Sequence, residues 1–248
     1  MIIVVDILRF QPEQPAGSRH DRFEVEAEPA SRLLDVLVHI QRRVDPTLVF
    51  RRSCGHGVCG SDAMIINGQE RLACKTLVRD VAAGPGSIVT VEPLRNLRVM
   101  RDLAVDQGPF FERYRAVKPY LMAPEAGPEA RERLQTPDER SVIEDATNCI
   151  LCAACFSACP VVGGVDPNFI GPAAVVQASR FQDDSRDRGF AERLGVLDRP
   201  DGVWPCENRF ACTRVCPRGI KVTKLINLTK RRVAEFKASN AGRSRGSA

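Results

Sequence analysis

Cys149-Ile-Leu-Cys152-Ala-Ala-Cys155-Phe-Ser-Ala-Cys159-Pro160 is a run of four cysteines separated by two, two and three residues and closed by proline. This is the bacterial-type spacing that wraps a chain around cubane iron–sulfur clusters. A second run, Cys206-x5-Cys212-x3-Cys216-Pro217, repeats it with one cysteine missing, and Arg209 stands at the vacant position. In this motif the fourth cysteine of each run ligates the cluster of the other. One site therefore receives Cys149, Cys152, Cys155 and Cys216, a full set for [4Fe–4S]. The other receives Cys159, Cys206 and Cys212, and a cubane site short of one ligand readily loses the corresponding iron. The expected occupant there is [3Fe–4S].

Upstream lies Cys54-Gly-His-Gly-Val-Cys59-Gly-Ser-Asp62, followed at a distance by Cys74. The pattern is the plant-type two-iron spacing, with Asp62 where the third cysteine belongs. Gly55, Gly57 and Gly60 permit a tight loop whose N–H groups face sulfur. Thiolates suit iron through softness, and a carboxylate suits Fe(III) through hardness. The expected ligands of a [2Fe–2S] cluster are Cys54, Cys59, Asp62 and Cys74, with the Ser61 hydroxyl the other oxygen within the loop. A Rieske arrangement, suggested by His56, needs a second His three residues after Cys74, and that position is Leu77. Zinc also binds sets of four cysteines, but two runs each closed by Cys-Pro favour iron–sulfur. With three clusters assigned, all ten cysteines are used. Disulfides are the alternative for a secreted chain; the apolar start Ile2–Val5 is broken by Asp6 and Arg9, which is no signal peptide. The chain is expected on the cytoplasmic side.

The remaining sequence supplies the scaffold. At 248 residues there is room for two modest cores. No stretch reaches the ~18 apolar residues of a membrane span. A net charge of +5, scattered without a basic stripe, gives no reason to expect nucleic acid. Ile2–Phe10 reads as a strand, and Phe23, Val25 and Ala27 alternate with glutamates as a second strand does. Residues 11–22 form the loop between them. Ser31 is a candidate N-cap for a helix with Leu33, Val36, Leu37, Ile40 and Val44 on one face. Asn67-Gly68 signals a hairpin, and Ser87–Pro93 a last strand. After about residue 105 alternation fades. Asp106–Val117, Asp138–Asn148, Pro172–Asp183 and Val222–Phe236 read as helices, with Pro137 and Pro172 in first turns. Pro124, Gly127 and Pro128 mark a loop. The class is α+β: a β-grasp [2Fe–2S] domain over 1–105, an all-α bacterial-type domain over 106–240, and an unstructured tail over 241–248.

Plant-type domain first, bacterial-type second, and a third site short of one cysteine: this order resembles the iron–sulfur subunit of succinate:quinone oxidoreductases. So do Asp102–Asp106, Phe110–Leu121, Phe169–Ala174, Arg180–Asp187 and Gly202-Val-Trp204. The resemblance covers residues 1–235. It implies an electron-transfer subunit of succinate dehydrogenase or fumarate reductase with no substrate-catalytic residues of its own. It implies a flavoprotein partner with FAD, membrane anchor subunits of the kind that carry haem b, and a quinone beside the last cluster. Pro160, Trp204 and Glu207 are the expected quinone neighbourhood. Ubiquinone-reducing members often have Trp shortly after the Cys159-Pro160 position and His after the Cys206 position. Here Val161–Val165 contains no Trp and Glu207 replaces the His, so menaquinone stands beside ubiquinone. Trp204 reads as packing near the third cluster, His39 as structural, and Lys221, Lys224, Lys230, Arg231 and Arg232 as a solvated face or one near anchor or headgroups. A soluble carrier serving another dehydrogenase is the alternative function.

Overall fold

The computed structural model describes residues 1–13, 17–124 and 132–245. The chain folds as two compact units, Met1–Pro109 with Ile150–Ala158, and Phe110–Cys149 with Cys159–Ala248.

The first unit is built on a five-stranded mixed sheet in the order β2 (Ser18–Glu26), β1 (Ile2–Phe10), β5 (Ile88–Glu92), β3 (Ala63–Ile66), β4 (Gln69–Leu72). Strand β1 (Ile2–Phe10) pairs antiparallel with β2 (Ser18–Glu26), Val5 opposite Phe23. Every second residue of β1, Ile3, Val5 and Ile7, is fully buried, as two-residue periodicity requires. β2 begins at Ser18, earlier than the apolar alternation indicates, because polar residues 18–22 pair with β1 while remaining largely exposed. Helix α1 (Leu33–His39) buries Leu33, Leu34, Val36 and Leu37 and runs into a wider turn at Ile40–Val44. Its N-cap is Arg32, not Ser31, and no side chain caps it; the Leu33 N–H instead donates to Thr76 O at 2.8 Å. His39 is exposed.

Strands β3 (Ala63–Ile66) and β4 (Gln69–Leu72) form the expected hairpin, with Asn67 and Gly68 both at positive φ. Strand β5 (Ile88–Glu92) runs parallel to β1 and antiparallel to β3. Two short strands follow, β6 (Val99–Arg101) and β7 (Ala104–Val105). Arg9, at the end of β1, is fully buried yet satisfied by Asp102, Asp45, Asp21 and Thr47.

The second unit holds helices α2 (Gly108–Ala116, from Phe110 on), α3 (Pro137–Thr147), α5 (Pro172–Gln182), α6 (Phe190–Leu197), α7 (Ala211–Arg214) and α8 (Val222–Arg245), with a wider turn at Val161–Val165. Between α3 and α5 in the chain, α4 (Ala154–Ser157) belongs to the first unit. Pro137 and Pro172 open their helices as expected, and Thr136 and Glu139 close a capping box at α3. Helix α5 is buried along nearly its whole length and packs against α3, α6 and α8. Arg193, fully buried on α6, donates to both oxygens of Asp187 and to the carbonyls of Lys118 and Tyr120, which fastens the chain after α2.

Two further expectations change. The stretch 150–158, in the middle of the expected second domain, packs with the first unit. Residues 241–245 of the expected tail continue α8, and 246–248 lie outside the described residues, as do Gly127 and Pro128 of the expected loop. Among the described residues no helix is long and apolar enough to cross a membrane.

Candidate metal centres

The first cysteine loop is shaped by glycine. Gly55, Gly57 and Gly60 take φ of +69°, +73° and +69°, a region that costs other residues about 1–2 kcal/mol each. The loop thereby turns its amides onto sulfur: the N–H groups of His56 and Cys59 lie 3.3 and 3.4 Å from Cys54 Sγ, and that of Cys54 lies 3.5 Å from Cys59 Sγ. The His56 amide foremost, then Cys59 and the Val58 amide, draw the Cys54 thiol down to about 6, which favours the thiolate that binds metal. His56 itself is exposed. Cys74 is buried, and burial, with the Asp62 carboxylate second, pushes its thiol up to about 12. Metal binding overcomes such a shift by displacing the proton.

Asp62 is only 2% exposed. One carboxylate oxygen, Oδ2, accepts the Cys74 N–H at 2.5 Å, while Oδ1 is buried with no hydrogen-bond partner. An orphaned buried anionic oxygen is costly unless something positive meets it. It lies beside Cys74 on a loop with Cys54 and Cys59, so a hard–soft donor set fits a two-iron cluster. Ser61 Oγ instead lies 3.1 Å from Cys59 Sγ, as a hydrogen-bond partner of sulfur. Among the described residues no three His, Cys, Asp or Glu side chains converge on the point that a single metal ion would occupy; a cluster takes its ligands on separate irons. The ten cysteines form no disulfide.

The two cysteine runs share one backbone path. In the first, Leu151 and Ala153 hold φ of +54° and +63°, and α4 follows at once. In the second, Asn208 and Phe210 hold +59° and +59°, and α7 follows. Paired left-handed residues in the same places are improbable without a common constraint. Counted from the first cysteine of each run, Arg209 occupies the place of Cys152.

Cys152 and Cys155 belong to the first unit, where the Ser157 hydroxyl ties α4 to the sheet by donating to Glu70 Oε1 at 2.9 Å. It also accepts the Arg95 N–H at 2.8 Å. Ser157→Ala is expected to lower stability by about 1–3 kcal/mol, because buried Glu70 loses its donor; urea unfolding measures it. Cys149 and Cys216 belong to the second unit.

Within the second unit Cys159, Cys206 and Cys212 line one cavity with Pro160, Glu207 and Arg209, and apolar Val161, Phe169 and Phe210 complete much of its wall. Burial pushes the Cys159 and Cys212 thiols upward. Trp204 does not line this cavity; its indole donates to Asp198 Oδ1 at 3.1 Å. Lys230 departs from the solvated face expected of it: its ammonium reaches back to the Cys206 carbonyl at 2.8 Å, whereas Lys221, Lys224, Arg231 and Arg232 are exposed. Sequence periodicity places Lys230 on the helix but carries no sign of that bond.

Residues 4–112 match the family model of a 2Fe-2S iron-sulfur cluster binding domain, and residues 145–220 that of a 4Fe-4S dicluster domain. The chain is 42% identical over 219 residues to the fumarate reductase iron-sulfur subunit of Mycobacterium tuberculosis, covering 88% of this chain and 87% of that one. It is 40% identical to the succinate dehydrogenase iron-sulfur subunit of Coxiella burnetii, over 89% of this chain and 92% of that one. A chain of the Mycobacterium smegmatis Sdh1 complex in the apo form superposes with a TM-score of 0.84 at 28% identity, over 96% of this chain and 97% of that chain.

Proposed function

The chain belongs to the iron–sulfur subunits of succinate dehydrogenases and fumarate reductases, and from that premise we propose that it relays electrons between a flavoprotein's FAD and a quinone through [2Fe–2S], [4Fe–4S] and [3Fe–4S] centres. It is an electron-transfer subunit of an oxidoreductase complex and carries [2Fe–2S] and [4Fe–4S] domains. The clusters supply one-electron chemistry when bound; the chain holds, spaces and tunes them. Cys54, Cys59, Asp62 and Cys74 hold the first, in what we read as a β-grasp domain. Cys149, Cys152, Cys155 and Cys216 hold the second, and Cys159, Cys206 and Cys212 the third. Pro160 and Glu207, which line the third site's cavity, are the residues we assign to the quinone end, together with Trp204 outside that cavity. Membrane anchor subunits, some with haem b, fix the chain to the cytoplasmic face of the membrane, and menaquinone or ubiquinone is the acceptor.

The observation that carries this reading is the repeated backbone of the two cysteine runs with Arg209 in a ligand's place. It supports unequal clusters in series, which a zinc site has no use for. EPR of the isolated complex tests it. A three-iron signal is expected in the oxidised state and a [2Fe–2S] signal on reduction, with flavoprotein and anchors copurifying. Zinc without acid-labile sulfide refutes the clusters, and a native chain purified alone refutes the complex.

Asp62 gives a separate expectation. Asp62→Ala removes the oxygen that has no other partner, and the reduced [2Fe–2S] signal should fall to a minor fraction. Asp62→Cys restores a thiolate and should retain it. Undiminished signal in the alanine variant passes the ligand role to Ser61 or to solvent.

A further inference from the structure

The place that lacks a thiol in the second run is not filled by an apolar residue. Arg209 Nε donates to Glu207 Oε2 at 3.0 Å, and both side chains line the cavity with Cys159, Cys206 and Cys212. The Arg209 carbonyl accepts from the Arg214 guanidinium at 3.2 Å, which steadies the backbone beneath it. The rest of the wall is largely apolar: Pro160, Val161, Phe169, Pro172, Phe210 and Ile226. Both charges sit at the solvent-exposed edge of this wall, where water screens them in part but the wall side does not.

A cluster on three thiolates is anionic, and reduction by one electron makes it more so. A cation at its edge favours the reduced form and an anion the oxidised form; net charge is among the factors that set such potentials. We propose that Glu207 and Arg209 act as opposed charges at the open corner of the third site and together set its reduction potential. This rests on the reading that Cys159, Cys206 and Cys212 hold that cluster. A purely structural role is the competing account. The Arg209 and Glu207 side chains are 67% and 38% exposed, and ion pairs so open to solvent contribute little to stability. A change in potential without a change in folding therefore separates the two.

The test is a potentiometric titration of the oxidised three-iron EPR signal in the purified complex. Arg209→Gln should lower the midpoint, and Glu207→Gln should raise it. Arg209→Lys, which keeps the charge, should lie closer to the unmodified protein than Arg209→Gln does. Midpoints that stay in place, or that move the same way in both neutral variants, overturn the proposal. Should the neutral variants assemble no cluster, Arg209→Lys and Glu207→Asp decide it: held midpoints support the role of charge, and a midpoint displaced despite preserved charge overturns it. If the unmodified complex gives no three-iron signal, the ligand reading beneath the proposal falls, which is a different result from an unmoved midpoint.

Discussion

Arg209→Cys is expected to convert the third site from three irons to four. The expectation is geometric before it is chemical. Leu151 and Ala153 flank Cys152 with left-handed backbone, and Asn208 and Phe210 flank Arg209 in the same conformation, so the backbone at 209 already follows the path taken at Cys152. Short helices, α4 and α7, begin at the equivalent next residue. Arg209 already lines the cavity shared by Cys159, Cys206 and Cys212. A guanidinium has only donors and cannot bind iron, whereas a thiolate completes the cysteine set of a cubane. The loss of the Arg209–Glu207 pair has small consequences for folding because that pair is largely exposed. In the variant the oxidised three-iron EPR signal should fall to a trace, a further [4Fe–4S] signal should appear on reduction, and iron per chain should rise by one atom. An unchanged oxidised signal in a folded, assembled variant would place the missing ligand somewhere other than 209.

The residues we assign as ligands stand out in the sequence because a cluster enforces fixed offsets along the chain, and offsets survive in a bare sequence. Strand β1, the Phe23–Glu26 half of β2 and the Asn67-Gly68 turn are legible for a similar reason, since pleat and positive φ each demand residue types at set places. The features that escaped are those in which one side chain answers a group far along the chain. Arg193 is buried against Asp187 and the carbonyls of Lys118 and Tyr120, yet in the sequence it is an arginine in a short segment interrupted by Gly195. Helix α6 went unread with it. Lys230 sits among other cations in the sequence, and no residue type there announces its bond to the Cys206 carbonyl. The helix cap at Arg32 escaped because the α1 amide is answered by a backbone carbonyl, Thr76 O, which no residue type announces. Strand β7 ends at Val105 and helix α2 begins at Gly108, but the return of 150–158 to the first unit depends on Ser157 meeting Glu70 and on a close backbone approach at Gly60.

That approach yields the second large effect. A Cβ on Gly60 would lie 2.6 Å from Cys152 Cβ, 2.9 Å from Cys152 Cα and 3.1 Å from Ile150 O. Two of these three atoms are backbone, so no side-chain rotation relieves the contact. Gly60 also holds φ of +69°, which adds a conformational cost of about 1–2 kcal/mol for any other residue. Gly55 separates the two effects: its φ is the same, +69°, and a Cβ there meets nothing within 4 Å. Gly55→Ala should therefore cost only the backbone amount, with its clusters retained. Gly60→Ala should cost about 1–3 kcal/mol more, as overpacking against a fixed wall does. The added strain falls between Cys59 and Asp62 on one side and Cys152 on the other, so the clusters we assign to both groups should be lost together. The measurements are thermal unfolding of both variants and reduced-state EPR of each. Loss of the [2Fe–2S] signal alone in Gly60→Ala would mean that the Cys152 backbone yields to the new methyl; equal behaviour of the two alanine variants would mean that the clash contributes nothing and backbone conformation is the whole cost.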